Sequence, residues 1–446
     1  MSRKRTDQLT RRQVLKTTAM TGFGFWVAGC QSIHAGVPST KPVSANEKLN
    51  IGFVGVAHRA EADLEELAAL KNVNVQAVCD VNSTYLAKAQ KNHSKATGYD
   101  DFRKMLENEK GLDAICVATP DHFHAYAAYH SLMAGKHVYC EKPLCRTVGE
   151  VRKVTLAAAG NKRVTQMGTQ IHAGENYRRV VELIQSNAIG SIYHVHVFCN
   201  KSWGTTQRSA GTFEVPKDVD YNLWLGPTAD RPYHPDYLPA NWRKYWMFGS
   251  GTLGDMGCHY LDLAYWAMDL KYPTRISSEG PPPHAEFCPR WLITHWDFPA
   301  SNGRAPLKLS WYDGGKLPTA HKAWGVNPKW NNGLLFEGEK GALFADYDTY
   351  KLYPEDDFAG FVAPKKSIKK SIGHHKEWVQ ACIANDPSAT TCRFDYSGPL
   401  SEAVLLGTVA HRLGQTLEWD AANLKVTNND KAQELIHQPY RKGWEI

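Results

Sequence analysis

A lysine at the end of an apolar run is the residue in this chain with the clearest chemical use. His137–Cys140 leads directly into Glu141-Lys142-Pro143, downstream of a nucleotide-binding pattern that begins at Leu49. In open parallel sheets, ligands bind outside the carboxyl ends of the strands. A lysine placed there, beside a dinucleotide, supplies the cation or proton donor that hydride chemistry needs. By itself a Glu-Lys-Pro tripeptide reads as a surface turn; its position in the pattern gives it the second reading.

The elements that must position Lys142 follow one another at regular spacing. Leu49–Val54 is a short apolar strand closed by Gly55, and a helical pattern begins near Arg59 with Leu64, Leu67 and Leu70. A second strand, Val73–Cys79, ends on Asp80, near the ~20-residue spacing of the dinucleotide fingerprint. An acid there hydrogen-bonds ribose hydroxyls and repels a 2′-phosphate, which favours NAD over NADP. A G-x-G-x-x-G reading puts Gly55, Ala57 and Ala60 in the three positions. Alanine at the second adds a methyl where the backbone approaches a pyrophosphate. His58 and Arg59 open the helix, and Arg59 offers charge to the phosphates. Residues 113–118 read as a buried parallel strand, followed by Thr119-Pro120-Asp121-His122-Phe123-His124, with Asp121 as N-cap of a helix running to Met133. A helix over 148–159 and a strand over 163–167 follow His137–Cys140. Strands alternating with helices at this spacing predict a doubly wound parallel sheet.

Taken together, this order, with Ala118-Thr119-Pro120-Asp121-His122, Glu141-Lys142-Pro143, Gly168-Thr169-Gln170, Gly254-Asp255-Met256-Gly257-Cys258-His259 and Glu337-Gly338-Glu339-Lys340-Gly341, resembles the glucose–fructose oxidoreductase / inositol dehydrogenase / MocA (Gfo/Idh/MocA) family. The resemblance covers nearly all of residues 49–420; Ala57 is its main departure. It implies an α/β Rossmann domain (48–168) followed by a domain with a large, mostly antiparallel open sheet (169–446), which in such proteins often forms oligomer contacts. Segments 193–199, 290–298, 306–311 and 334–344 have strand composition, and 401–417 reads as a closing helix. The implied activity is that of an NAD-dependent oxidoreductase on a hydroxyl of a sugar, polyol or glycoside. The implied cofactor contacts are Gly55, Ala57, His58, Arg59, Asp80, Thr119, Pro120, His122, His124, Glu141, Lys142 and Gln170.

By the same resemblance Lys142, Asp255 and His259 match the catalytic lysine, aspartate and histidine. Hydride transfer from a carbinol needs a base for the hydroxyl proton. His259 is assigned as acid/base and Lys142 as the donor that polarises the reacting oxygen, with the exchanged roles as the alternative. Asp255, four residues before His259 near the start of a helix over 257–267, shares its face and is expected to orient the imidazole. The family often has a cis bond before the proline corresponding to Pro143. His172, Tyr177, Arg178, Trp203 and Trp242 are the pocket candidates, since aromatic faces stack on sugars and Arg or His bonds hydroxyls. Asp255 and His259 are too few ligands for a metal centre, a third from His172 or His295 cannot be chosen, and no metal is assigned. Two further readings stand beside the oxidoreductase: an NAD-assisted glycoside lyase or hydrolase working through a keto intermediate, and a non-catalytic sugar-binding surface protein. The family's glycosidase branch lacks the Glu-Lys-Pro lysine, so Lys142 favours redox or elimination.

The first residues read as an address. Thr10-Arg11-Arg12-Gln13-Val14-Leu15-Lys16 has the form of a twin-arginine export signal, and the apolar stretch after it, residues 19–27, is too short to span a bilayer. Val27-Ala28-Gly29-Cys30 looks like a lipoprotein processing site, with Cys30 lipidated. Residues 1–30 are the signal and 31–47 a tether to the membrane. The expected location is the periplasm, with the lipid as anchor. Arg3, Lys4, Arg5, Arg11, Arg12 and Lys16 against Asp7 hold most of the formal +7, so no nucleic-acid partner is implied. The ten cysteines are scattered without metal spacing, and several lie in apolar runs, which favours buried thiols over a disulfide framework. Free dinucleotide is absent outside the cytoplasm, so an exported enzyme must bind its cofactor tightly and regenerate it in place.

Overall fold

The computed structural model describes residues 48–301 and 303–446; the export motif, Cys30 and the tether lie outside the described residues. The first domain is a six-stranded parallel sheet in the order β3-β2-β1-β4-β5-β6, with β1 Leu49–Val54, β2 Val73–Cys79, β3 Thr97–Tyr99, β4 Ala114–Val117, β5 His137–Cys140 and β6 Thr165–Met167. Strands β4 and β5 are buried at every residue, which is why they read as unbroken apolar runs. Helices α1 Arg59–Ala68, α2 Ser83–Asn92, α3 Phe102–Asn108, α4 Asp121–Met133 and α5 Val148–Asn161 connect them. Helix α5 starts on a reciprocal cap in which Thr147 Oγ1 accepts from Glu150 N–H and Glu150 Oε2 accepts from Thr147 N–H.

The second domain carries α6 Glu175–Gln185, β7 Ile192–Cys199, α7 Tyr221–Leu225, α8 Gly251–Met268, β8 Arg275–Glu279, β9 Ile293–Phe298, β10 Leu307–Asp313, α9 Thr319–Ala323, β11 Gly333–Gly338, β12 Gly341–Ala345, β13 Tyr350–Tyr353, α10 His374–Ala384, α11 Phe394–Leu413, β14 Leu417–Asp420, β15 Lys425–Val426 and α12 Gln433–Ile436. Nine strands form one sheet, β13-β12-β11-β7-β10-β9-β8-β14-β15, antiparallel throughout except for the β7–β10 pair. Helices α8 and α11 pack against one face of it.

Among the boundaries that differ from the sequence reading, two are helix starts disguised by glycines and a third is a hairpin read as one strand. Helix α8 begins at Gly251, so Asp255 lies inside the helix; Gly251, Gly254 and Gly257 disguise its start. Gly257 lets α8 pack closely on α11: a Cβ would sit 3.0 Å from a Val404 methyl, which would have to give way by a few tenths of an ångström. Helix α11 begins at Phe394, through the apparent breakers Gly398-Pro399; a Cβ on Gly398 would meet Thr155 Oγ1 of α5 at 2.5 Å. The segment over 334–344 is a hairpin, not one strand, turning at Glu339-Lys340.

The domains share material. Helix α10, late in the chain, covers the outer face of the first sheet, where Trp378, Val379, Ala381 and Cys382 join Leu49, Ile51, Phe53 and Tyr139 in one apolar cluster. On the other face Arg152 of α5 makes a two-pronged bond to Glu402 of α11, Nε–Oε1 2.7 Å and a second nitrogen to Oε2 2.8 Å. The nine described cysteines are free and buried. Among the described residues no helix is long and apolar enough to cross a membrane.

Glu402 is fully enclosed, so removing its partner strands a buried carboxylate. Arg152→Met is expected to cost roughly 3–5 kcal/mol in urea unfolding, whereas the double change Arg152→Met with Glu402→Leu should recover much of that loss.

Candidate functional site

Gly55, at the end of β1, has φ +84°, and a Cβ there would lie 2.7 Å from the Ala118 carbonyl. Only glycine fits, and the turn brings the start of α1 up to the ends of β1 and β4. His58 takes φ +57° at the helix start, with its ring edge-on to Tyr85. At the tip of β2 the Asp80 carboxylate is aimed back at this turn: Oδ2 accepts from Val56 N–H at 3.0 Å and Oδ1 from Asn82 N–H at 2.9 Å. A cavity of about 390 Å³ opens over these strand ends. Its roof is chain from the second domain, where Asn82 and Ser83 bond to Asp218 and Asp220 N–H donates to the Val81 carbonyl.

Glu141 and Lys142 leave β5 in opposite chemical states. Burial and the nearby Asp63 push the Glu141 carboxyl up to about 8, with Lys142 and Arg59 acting the other way. Gln170 Nε2 donates to Glu141 Oε1 at 2.8 Å. A Cβ on Gly168 would lie 2.2 Å from the same oxygen. Gly168-Thr169-Gln170 is therefore the seat of Glu141. Lys142 Nζ donates to Asp255 Oδ1 at 2.9 Å and to the Asp255 carbonyl at 2.8 Å. Burial works to discharge this lysine, but Asp255 and Glu141 hold its pKa above the ordinary value. Asp255 also accepts from Arg243 Nε at 3.1 Å and from Trp203 Nε1 at 2.7 Å. Burial would raise its carboxyl; Lys142 and Arg243 outweigh that and keep it far below the usual range. The Lys142–Pro143 bond is cis.

Asp255 thus does not orient His259. The hydrogen bonds to its carboxylate come from Lys142, Arg243 and Trp203, and His259 sits one turn further along α8. Burial, then the charge of Lys142, brings the His259 pKa down to about 3, so the imidazole is neutral at physiological pH. His122 and His124 are also neutral, brought down to about 3 and about 4, mainly by burial.

Gly55, Ala57, His58, Arg59, Asp80, Thr119, Pro120, His122, His124, Glu141 and Lys142 all line the cavity, as does Trp242. Gln170 lies behind Glu141. Arg59 is drawn into an ion pair with Asp63, and its Nε lies 3.6 Å from Glu141 Oε1, so its charge is partly balanced already. Asp121 is the first residue of α4 rather than its cap, which is Pro120. His172, Tyr177 and Arg178 stand outside the cavity wall. His172 is bonded to Asp262 at 2.9 Å and stacked on Trp266, the Tyr177 hydroxyl donates to the His259 carbonyl, and Arg178 donates to the Lys369 carbonyl. These bonds engage His172 Nδ1, the Tyr177 hydroxyl and one Arg178 nitrogen in structure, while Arg178 Nε is buried without a partner. Trp203 reaches the site through Asp255 and through Arg243, whose guanidinium lies 5.4 Å from its ring. Arg243, which lines the cavity with its guanidinium 4.2 Å from the Trp242 ring, was missed because no motif spacing marks it.

A turn that only glycine fits, an acid at the second strand tip and a cavity across both define a dinucleotide site, and these residues fit NAD. Gly55 to Arg59 would hold the pyrophosphate side and Asp80 the ribose. The chain is an NAD-binding, two-domain oxidoreductase by fold and site. It belongs to the Gfo/Idh/MocA family: residues 49–169 match the family's NAD-binding Rossmann fold, and 176–300 with 330–446 match its C-terminal α/β domain. A glycosyl hydrolase family 109 protein of Shewanella pealeana is 23% identical over 205 residues, 42% of this chain and 45% of that one, so the chain spans under half the length of this relative. Among solved structures, the WlbA dehydrogenase from Chromobacterium violaceum in complex with NADH and UDP-GlcNAcA superimposes with TM-score 0.59 at 16% identity, over 86% of this chain and 99% of that one. Levoglucosan dehydrogenase in complex with NADH and levoglucosan gives 0.57 at 17%, over 83% and 99%. At these identities the structures establish a shared fold.

Two outcomes follow. Gly55→Ala, forced against the Ala118 carbonyl, should leave the purified protein with little bound NAD, measured on nucleotide released by denaturation. Asp121, almost fully buried, has its carboxyl pushed up to about 7 by burial, against the pull of Arg243 and Lys142. The unfolded chain releases that proton near ~3.9, so native stability is lost as pH rises between the two values and levels off above the upper one. Asp121→Asn should therefore stabilise the protein by an amount that grows from pH 4 to pH 7 and is constant above; a gain independent of pH would contradict the assignment.

Proposed function

We propose that the protein is an NAD-dependent oxidoreductase acting on a hydroxyl of a sugar, polyol or glycoside, with its cofactor held tightly and recycled on the enzyme. The observation that carries this reading is Lys142, a buried ammonium kept charged by Asp255 at the strand tips, in the wall of the cavity that fits NAD. Bound NAD supplies a hydride acceptor at that place. Lys142 cannot serve as base while Asp255 holds its proton, so it hydrogen-bonds and polarises the substrate oxygen. His259, neutral and on the same helix as Asp255, takes the hydroxyl proton in oxidation and returns it in reduction. Trp242 with Arg243 over its ring offers an aromatic face and a cation for a polyhydroxylated ligand. The sugar ligands named for the two superimposable dehydrogenases support that substrate class.

The relative named as a family 109 glycosyl hydrolase supports a second outcome of the same chemistry. Oxidation of a ring hydroxyl would pass its hydride to bound NAD and acidify the neighbouring C–H; loss of that proton expels the glycosidic group, water adds across the resulting double bond, and return of the hydride to the keto carbon restores NAD. Lys142 inclines the reading toward net redox. Release of free sugar from a glycoside without accumulation of NADH would decide for the glycosidase.

The export reading belongs with this function. A twin-arginine signal carries folded protein, so NAD is loaded before the chain leaves the cytoplasm, and lipid on Cys30 then anchors it to a membrane on the periplasmic side. The large open sheet is the surface through which copies associate.

Lys142→Ala should lower kcat by about 10²–10⁴ while the content of bound NAD stays near that of the parent. Full turnover in the variant would remove the role given to Lys142, and protein purified without any nicotinamide would remove the loaded-cofactor reading.

A further inference from the structure

Away from the cleft, on the face of the large sheet opposite α8 and α11, four strands bring polar side chains together. His194 and His196, two apart on β7, point the same way, as strand geometry requires. Glu337 on β11 lies opposite His194 in the register. One ring nitrogen from each histidine and a Glu337 oxygen all fall within 4.8 Å of one another. His196 Nε2 is 2.7 Å from Glu337 Oε2, and His194 Nδ1 is 3.9 Å from the same oxygen. No residue here touches the nucleotide cavity, and neither the proposed reaction nor the family motifs use the two histidines.

We infer that His194, His196 and Glu337 form a binding site for a divalent transition-metal ion of the zinc class. Two imidazoles and a carboxylate are a donor set suited to such an ion, with a further position left for water. Tetrahedral bonds of ~2.0–2.1 Å place ligand atoms about 3.3 Å apart, so His196 and Glu337 need only separate slightly and His194 approach slightly. In the single chain the side chains are partly open to solvent, His194 most, at 21% exposure, so an ion can enter before copies associate through the sheet.

What distinguishes this cluster from a chance ion pair is that every ligand is held from behind. His194 Nε2 lies 2.8 Å from Ser310 Oγ, His196 Nδ1 lies 3.2 Å from the Tyr312 hydroxyl, and Glu337 Oε1 accepts from Trp324 Nε1 at 2.8 Å. Supporting bonds of this kind orient metal ligands and fix their tautomers. They are mutually consistent. With His194 Nδ1 on the ion, Nε2 carries hydrogen and donates to Ser310, whose own hydrogen is free for His295 Nδ1 at 2.7 Å. With His196 Nε2 on the ion, Nδ1–H donates to Tyr312. Without the ion a neutral His196 donates Nε2–H to Glu337; ligation moves that hydrogen to Nδ1, so the ring stays neutral. The ion would tie β7 to β11 and, through Ser310 and Tyr312, to β10.

The test uses the full chain without a polyhistidine tag, stripped with chelator and equilibrated with Zn²⁺, then with Co²⁺. One equivalent of metal per chain by elemental analysis, visible absorption of a tetrahedral Co²⁺ site, and a thermal midpoint that rises with added Zn²⁺ are expected. Ser310→Ala should weaken binding about 10–100-fold. His194→Gln, at the most exposed ligand, should abolish stoichiometric binding and the thermal shift while retaining bound NAD, which reports that the fold is intact. Failure of the parent protein to take up an equivalent of either ion, or unchanged uptake by His194→Gln, would overturn the site.

Discussion

A buried ammonium needs a counter-charge, and here one carboxylate serves it from the other domain. Lys142 leaves the last residues of β5; Asp255 sits inside α8. Burial alone would strip the lysine of its proton and protonate the aspartate. Each prevents the other, and Arg243 adds a second cation on the same carboxylate. Buried pairs of this kind give little net stability, because desolvation offsets most of the Coulomb attraction. What the pair secures is a charge state: a buried lysine that remains a charged donor. The neutral state of His259 depends on it too, since the charge of Lys142 adds to burial in keeping that imidazole unprotonated.

The neighbouring Glu141 shows why the family motifs occur as a set. Its carboxyl is enclosed by Gly168, which leaves room for it, by Gln170, which bonds to it, and by Arg59, which brings charge from the first helix. Motifs far apart in the chain are adjacent here because parallel strands deliver them all to one end of the sheet. Much of what they do is to support each other, and a smaller part faces the cavity directly.

The first domain was legible because its strands are buried on both faces and its turns need particular residues, so apolar runs, Gly55 and Asp80 carry the pattern in plain form. Of the cofactor residues, Gly55, Ala57, Arg59 and Asp80 were readable from the strand–turn–helix pattern and the others up to Lys142 were implied by the family resemblance; all of these line the cavity. Most of the pocket residues do not. His172, Tyr177 and Arg178 were chosen by side-chain type, and type does not say whether a polar atom is already spent on Asp262 or on a backbone carbonyl. Arg243 was invisible because it reaches Asp255 from an irregular segment with no periodicity. The helix starts at Gly251 and Phe394 were misread because glycines selected for close helix packing look, in one dimension, like breaks. The histidine pair on β7 carried a readable signal, alternation on a strand, but its carboxylate partner lies on a strand more than a hundred residues later.

The late helix α10 has a consequence for how the molecule is made. Its Trp378 and neighbours complete the layer over β1 and β5, so the nucleotide-binding half stays unfinished until most of the polypeptide has been synthesised. A nascent chain that has emerged only through β6 has that face covered by α1 and α2 in part, and the portion that Trp378 and its neighbours complete stays apolar and open. Gene fusion or domain exchange at the apparent boundary near residue 168 would inherit the same exposed surface. The two halves are thus one cooperative unit in manufacture, although they look like separable modules in their topology.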